Sequence, residues 1–130
     1  MSGIGFFAHE KLDAYRVARD FLEVAHEVVQ QLPRGERAIA DQLERAASSV
    51  LLNTAEGAGR RAGKEKAHFF DIARGSAAEC AAVFDVLAIR GLVSAEAAGR
   101  GRALLHRTVG MLAGLARSAL SRAAAQAGGE

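Results

Sequence analysis

Residues 12–35 read LDAYRVARDFLEVAHEVVQQLPRG, and the spacing of apolar positions in this stretch decides the fold. Leu12, Tyr15, Ala18, Leu22, Ala25, Val29 and Leu32 recur three and four residues apart. That is the period of an α-helix with one face against a core. Phe21 and Val28 widen the stripe, while Asp13, Arg16, Asp20, Glu23 and Glu27 fall on the other side. Pro33-Arg34-Gly35 then breaks the pattern, since proline supplies no backbone N–H and glycine favours turns. The spacing predicts a first helix from about His9 to Leu32.

Working outward, the same period recurs three more times. A second helix is expected from about Glu36 to Glu56, with Ile39, Leu43, Ala46, Ala47, Val50 and Thr54 on one face. Gly57-Ala58-Gly59 follows, with glycines suited to a left-handed closing turn. A third is expected from about Lys64 to Arg90, presenting Phe69, Ile72, Ala73, Ser76, Cys80, Val83 and Leu87, with Gly91 as its stop. The fourth begins at Ser94, a good N-cap followed by Glu96 in the first turn. It continues through Ala97, Gly101, Leu104, Leu105, Thr108, Leu112, Leu115 and Ala119. No alternating pattern argues for a strand. Four long helices with short links predict an all-α, antiparallel up-down four-helix bundle over residues 9–122. Residues 1–8 read as an N-terminal arm, and 123–130 as a flexible tail.

The composition agrees with one domain. The chain has 130 residues, half apolar and a quarter charged, with one proline and one cysteine. These figures exclude a disordered chain, a collagen-like repeat and a disulfide scaffold. A lone thiol and the absence of a signal-like start over Met1 to Lys11 point to the cytoplasm, and no apolar run suffices for a membrane span. Net charge is +2 but unevenly divided. Through Glu56 there are six Lys+Arg against nine Asp+Glu; from Gly57 onward there are eleven against six. Arg60, Arg61, Lys64 and Lys66 form a cluster, and Arg100, Arg102 and Arg107 lead a further arginine series with Arg117 and Arg122. Such a surface suits a polyanion, with phosphate contacts from arginine and lysine. No aromatic platform for base stacking accompanies it.

Two helices carry apolar residues away from the expected core stripe. Leu52 lies opposite Leu43 and Val50, and Phe70, Val86 and Ile89 lie off the Phe69–Ile72–Leu87 face. A helix apolar on several sides is buried on several sides. Leu52, Phe70, Val86 and Ile89 are therefore expected in a contact between copies.

Catalytic patterns are weak. Glu23-Val-Ala-His26 and Glu65-Lys-Ala-His68 match the Glu-x-x-His pair of di-iron bundles. They occupy opposite ends of helices that run parallel, and of the inward carboxylates needed from the other two helices the fourth offers only Glu96 at its very start. Metal-dependent chemistry in the core is thus a remote alternative; no metal or other cofactor is expected. Cys80 sits on the apolar stripe as a small hydrophobe. Gly57-Ala-Gly59-Arg60-Arg61 follows a helix and not a strand, so it is no phosphate-cradling loop.

Taken in order, these segments resemble a bacterial family. Phe7-Ala-His-Glu-Lys-Leu-Asp-Ala-Tyr15-Arg-Val-Ala18 is similar to its opening, and Asp41-Gln-Leu43-Glu-Arg45-Ala-Ala47-Ser-Ser49-Val to its second helix. Asn53-Thr-Ala-Glu56-Gly57-Ala-Gly59-Arg60 resembles its Asn-Ile-Ala-Glu-Gly-x-Gly-Arg signature. Phe69-Phe-Asp-Ile72-Ala73-Arg-Gly75-Ser76-Ala-Ala-Glu79 resembles its third-helix signature. This is the four helix bundle, or 23S rRNA intervening-sequence, protein family, related to the accessory protein of diversity-generating retroelements. The resemblance spans residues 7 to 120. It implies a homo-oligomeric ring, typically a pentamer, without catalytic activity. It also suggests a binding or scaffold role involving RNA or another nucleic acid; the alternative is an adaptor for a nucleic-acid-processing protein such as a reverse transcriptase. Leu51 stands where the family often has proline, which predicts a straighter second helix.

The signature residues have structural readings. Asn53 is expected to bond across to a neighbouring helix. Glu56, placed unfavourably at a helix C-terminus, calls for Arg60, Arg61 or Arg74. Gly57 and Gly59 close the helix, Gly75 and Ser76 allow close helix approach, and Glu79 is expected to meet an arginine. Thr54 needs a carbonyl one turn earlier.

Overall fold

A computed structural model describes residues 7–128. Most of the N-terminal arm expected at 1–8, and the last two residues of the expected tail, lie outside them. A 3-10 turn, Ala8–Lys11, precedes α1 (Asp13–Gln31), and a second, Arg34–Glu36, leads into α2 (Arg37–Gly59). The chain continues as α3 (Gly63–Ile89) and α4 (Ala95–Gly128), with no strand among the described residues. It is an all-α four-helix bundle.

Local chemistry sets the helix ends. Leu12 is extended (φ −87°, ψ 131°), which separates the first turn from α1 and shortens the helix expected from His9. Leu32 is extended as well, as a residue preceding proline tends to be. Ser94 Oγ accepts the Ala97 N–H at 3.1 Å, the expected N-cap of α4. Gly91 stops α3 with φ +70°; its N–H reaches Ala88 O, and the Leu92 N–H reaches Leu87 O at 2.8 Å. Gly57 and Gly59 behave otherwise. Neither adopts positive φ, and α2 runs through both instead of closing at Glu56. With leucine at 51, α2 is uninterrupted. At the other end of the chain, α4 stays helical to Gly128, beyond Arg122 where the apolar pattern fades.

The helices form a square in which α1 and α3 each pack against α2 and α4. Cross-helix neighbours run antiparallel: Ser49 of α2 meets Ser76 of α3, and Glu36, just before α2, meets Arg90, just after α3. Between α3 and α4, Phe84 lies against Gly101 and Gly63 against Ala119. The interior divides into two clusters. The larger joins Phe21, Leu43, Val50, Cys80, Phe84, Leu87 and Leu105. The smaller, at the end where α2 turns into α3, gathers Ala14, Ala67, Phe70, Ala73, Leu112, Ala116 and Ala119.

Helix α3 corrects the expected core face. Phe70, expected in a contact between copies, is 3% exposed within the protomer, while Ile72 of the expected core stripe faces outward. Two causes combine. The buried positions Ala67, Phe70, Ala73, Ala77, Cys80, the Val83–Phe84 pair and Leu87 recur about every 3.3 residues, short of the 3.6 of an α-helix, so the inward face drifts around a straight helix. Gly57, lacking a side chain, also leaves the space that Phe70 fills: a Cβ there would lie 2.7 Å from the ring. In α1 the buried stripe is likewise rotated, onto Ala14, Val17, Ala18, Phe21, Val24, Ala25 and Val28.

Candidate nucleic-acid interface

The basic cluster of the sequence falls at the α2–α3 turn. The last carbonyls of α2 have no helical partners, and the first turn of α3 lies beside them. Lys66 uses that placement: its Nζ donates to Gly57 O at 3.1 Å and Ala58 O at 2.9 Å. It caps α2. Burial lowers its pKa from the ordinary lysine value, and the nearby positive charge of Arg122 lowers it further. Arg60 is also engaged. Its Nε donates to Glu56 Oε2 at 2.9 Å, and its guanidinium lies 4.8 Å from the Phe69 ring centroid. Arg61 and Lys64 are exposed and form no ion pair among the described residues.

The remaining predicted cations lie elsewhere. On α4, Arg102 pairs with Asp85 at 2.8 Å and Arg100 with Glu27 at 3.5 Å, so both tie α4 to its neighbours. Arg107 is exposed without an acidic partner among the described residues. Gly101 faces Phe84 and Ala119 faces Gly63, two levels of α4 that are about 27 Å apart at 1.5 Å per residue. Arg100 and Arg102 therefore lie at the opposite end of the bundle from Arg60, Arg61, Lys64 and Lys66. What the sequence did not group with that cluster is Arg122, which α4 returns to the same end. The signal was the length of the fourth helix: it has to travel back past the start of the third.

Most signature residues share the outer edge between α2 and α3. Ser49 and Ser76 hydroxyls meet at 2.7 Å across the two helices. Asn53 does not cross over; its amide donates back to Ser49 O at 2.9 Å and to Ser49 Oγ at 3.0 Å. Glu56 takes Arg60, one of the three expected partners. Glu79 accepts from Gln42 at 3.3 Å instead of from an arginine. Thr54 Oγ1 donates to Val50 O at 2.7 Å, as expected of a buried hydroxyl on a core face. Gly57 is buried against Phe70, whereas Gly59 and Gly75 border open space, so neither mediates close helix approach within the protomer.

Of the other residues expected between copies, Leu52 is 65% and Ile89 85% exposed, while Val86 is half-buried. Leu52 lies one turn beyond the Ser49–Ser76 contact, and Ile89 is thirteen residues beyond Ser76, about 20 Å along α3. The fold does not join them into one patch.

The two Glu-x-x-His segments are not brought together. His26 lies 3.5 Å from Glu44 and bonds Gln30, and His68 packs edge-on against Phe69. Among the described residues no three His, Cys, Asp or Glu side chains are grouped to hold a metal ion. Cys80 is fully buried in the larger cluster. Burial first and the Glu79 charge second push its pKa up to about 12, which keeps it a protonated thiol.

An antiparallel four-helix bundle with a cationic end defines a class of small helical proteins rather than an activity. Residues 10–114 match the 23S rRNA-intervening sequence protein family, and the chain belongs to it. No curated protein matches the chain. No helix among the described residues is long and apolar enough to cross a membrane.

Proposed function

We propose that this protein is a non-enzymatic, self-associating helical scaffold that binds the phosphate backbone of RNA at the α2–α3 end of the bundle. The observation that carries the reading is the crowding of Lys66 and Arg122 beside the exposed cations Arg61 and Lys64. In that first turn of α3 only Glu65 opposes them. Like charges held together without equal neutralisation are costly alone and are relieved by an anion. The N-terminus of α3 adds to the positive field, since Ala62 offers no side-chain cap. A family whose name refers to an intervening sequence of 23S rRNA is consistent with an RNA partner.

Self-association is supported by apolar side chains left in water, Leu52, Ile72, Ile89 and Leu120 among them. The non-enzymatic reading is supported by the state of the cysteine, a buried protonated thiol that is a poor nucleophile. Pentameric assembly and a cytoplasmic location belong to the same proposal.

Four cations contacting phosphates give a slope of log affinity against log salt of about −3. Affinity for a structured RNA should then fall roughly fifty-fold between 50 and 200 mM salt. A mobility-shift titration with R61A/K64A should weaken binding and flatten that slope by about half. Binding with an unaltered slope would remove the site assignment. No binding by wild type at 50 mM salt would leave the protein-adaptor reading in front.

A further inference from the structure

A groove of about 710 Å³ lies between α1 and α2. Leu22, above the buried Ala25, gives it an apolar floor, and Glu23, Glu27 and Glu44 stand along it. Glu27 already meets Arg100, and Glu44 meets only the imidazole of His26. Glu23 is exposed and has no cationic partner among the described residues. The groove thus asks for something apolar carrying a positive charge.

The opposite corner of the same molecule offers that combination. Leu120 is eighteen residues, five helical turns, beyond Arg102, so both project from the same side of α4. Arg102 reaches Asp85 on α3. Leu120 therefore lies on the flank of α4 towards α3, level with Gly63, the first residue of α3, which sits against Ala119 and Ala123. Leu120 projects outward there and is 47% exposed, while its neighbour Ala119 is buried, and α4 continues to Gly128. Arg117 and Ala124, three residues before and four after, share that side. Arg117 is exposed and has no acidic partner among the described residues.

We propose that the α1–α2 groove receives the Arg117–Leu120–Ala124 edge of α4 from a second copy of this chain. Leu120 lies over Leu22, and Arg117 meets Glu23 and Glu44. The edge cannot reach the groove of its own chain, because in the square α1 and α2 lie on the side away from α3–α4. The contact is consequently head-to-tail: each copy offers one groove and one edge. Repetition of such a contact generates rings when the rotation closes. The opposite net charges of the two halves of the sequence, −3 through Glu56 and +5 after it, favour this pairing over groove-to-groove or edge-to-edge association. The inference rests on the self-association proposed above and specifies its surfaces.

Light scattering tests both levels separately. Wild type should have a mass several times 13.6 kDa. R117E, E23R/E44R and L120D should each fall to the mass of one chain with unchanged far-ultraviolet circular dichroism. A chain carrying R117E together with E23R/E44R should regain the assembly. A cross-link that does not depend on variant stability is a C80A chain carrying S48C and L120C, since Ser48 also lines the groove. It should form a disulfide ladder on mild oxidation, and neither single-cysteine parent should go beyond a dimer. An assembled wild type whose mass is untouched by R117E and L120D, or which gives no ladder, would overturn the groove-and-edge contact alone. A monomeric wild type would overturn the self-association reading and this contact with it.

Discussion

The two ends of the bundle are packed by different means. Toward the α1–α2 and α3–α4 turns, large side chains fill the space: Phe21 and Phe84 meet edge-on with ring centroids 5.7 Å apart, beside Leu43, Leu87 and Leu105. At the α2–α3 turn the smaller cluster contains five alanines around Phe70 and Leu112. There, close backbone approach replaces side-chain bulk, with Gly57 under Phe70 and Gly63 against α4. The lesson is that one bundle can be held by volume at one end and by the absence of volume at the other. The cationic site stands on the second kind of end, so its geometry depends on residues defined by what they lack.

The largest break should come at the voluminous end. Phe84→Ala removes an aromatic pair and opens a cavity, for an expected loss of about 3–5 kcal/mol by urea unfolding. Phe70→Ala should cost less, because that ring has no aromatic partner among the described residues; the reverse order would erase the distinction between the ends. Next comes Gly63→Ala, whose new Cβ runs into the Ala119 carbonyl oxygen and lies 2.9 Å from Ala123 Cβ. Backbone cannot step aside as a side chain does, so about 1–3 kcal/mol should be lost, read as a lower melting temperature. Gly59→Ala should go the other way. Its position is helical and open, and the substitution should stabilise by about 0.5–1 kcal/mol.

The last effect concerns Cys80 and is absent at neutral pH. The folded protein holds its proton up to about pH 12, whereas an unfolded chain releases it near the ordinary 9.0. The favourable contribution is complete below about pH 9 and erodes as pH climbs from there toward 12. Over that window the stability of wild type should fall more steeply than that of C80A. At neutral pH the thiol should react with a disulfide reagent only as fast as the bundle opens.

Much of this was legible in the residues. The four helical periods, the breaks at Pro33 and Gly91, the cap at Ser94 and the return bond of Thr54 all follow from local rules. That Glu56 needs an arginine was legible too, and of the three candidates the structure gives it Arg60, the residue just after α2. What the periods could not supply was the rotation of each helix about its axis. Phe69 and Phe70 are neighbours in sequence, and the hole above Gly57, together with the drift of the buried face, selects Phe70 as the inward one. Likewise Gly57 and Gly59 look alike in the chain but differ in burial, since α2 faces α3 at the first and solvent at the second.

The cationic site was half legible. Four basic residues in a short stretch are visible as letters, but which of them are committed is not. Lys66 caps α2 and Arg60 holds Glu56, while Arg122 arrives from the far end of the chain. Arg100 and Arg102, which share the sign of the cluster, are used to tie α4 to α1 and α3.

Sequence alone determined that this chain is helical, where most helices start and stop, and that its charge is uneven. Those properties are set within a few residues, by hydrogen-bonding capacity and by period. Tertiary structure decided which faces are inward, which cations remain free, and that a groove and an exposed helix edge lie at opposite corners. Such properties depend on residues tens of positions apart meeting at contact distance, where a missing Cβ counts as much as any side chain present.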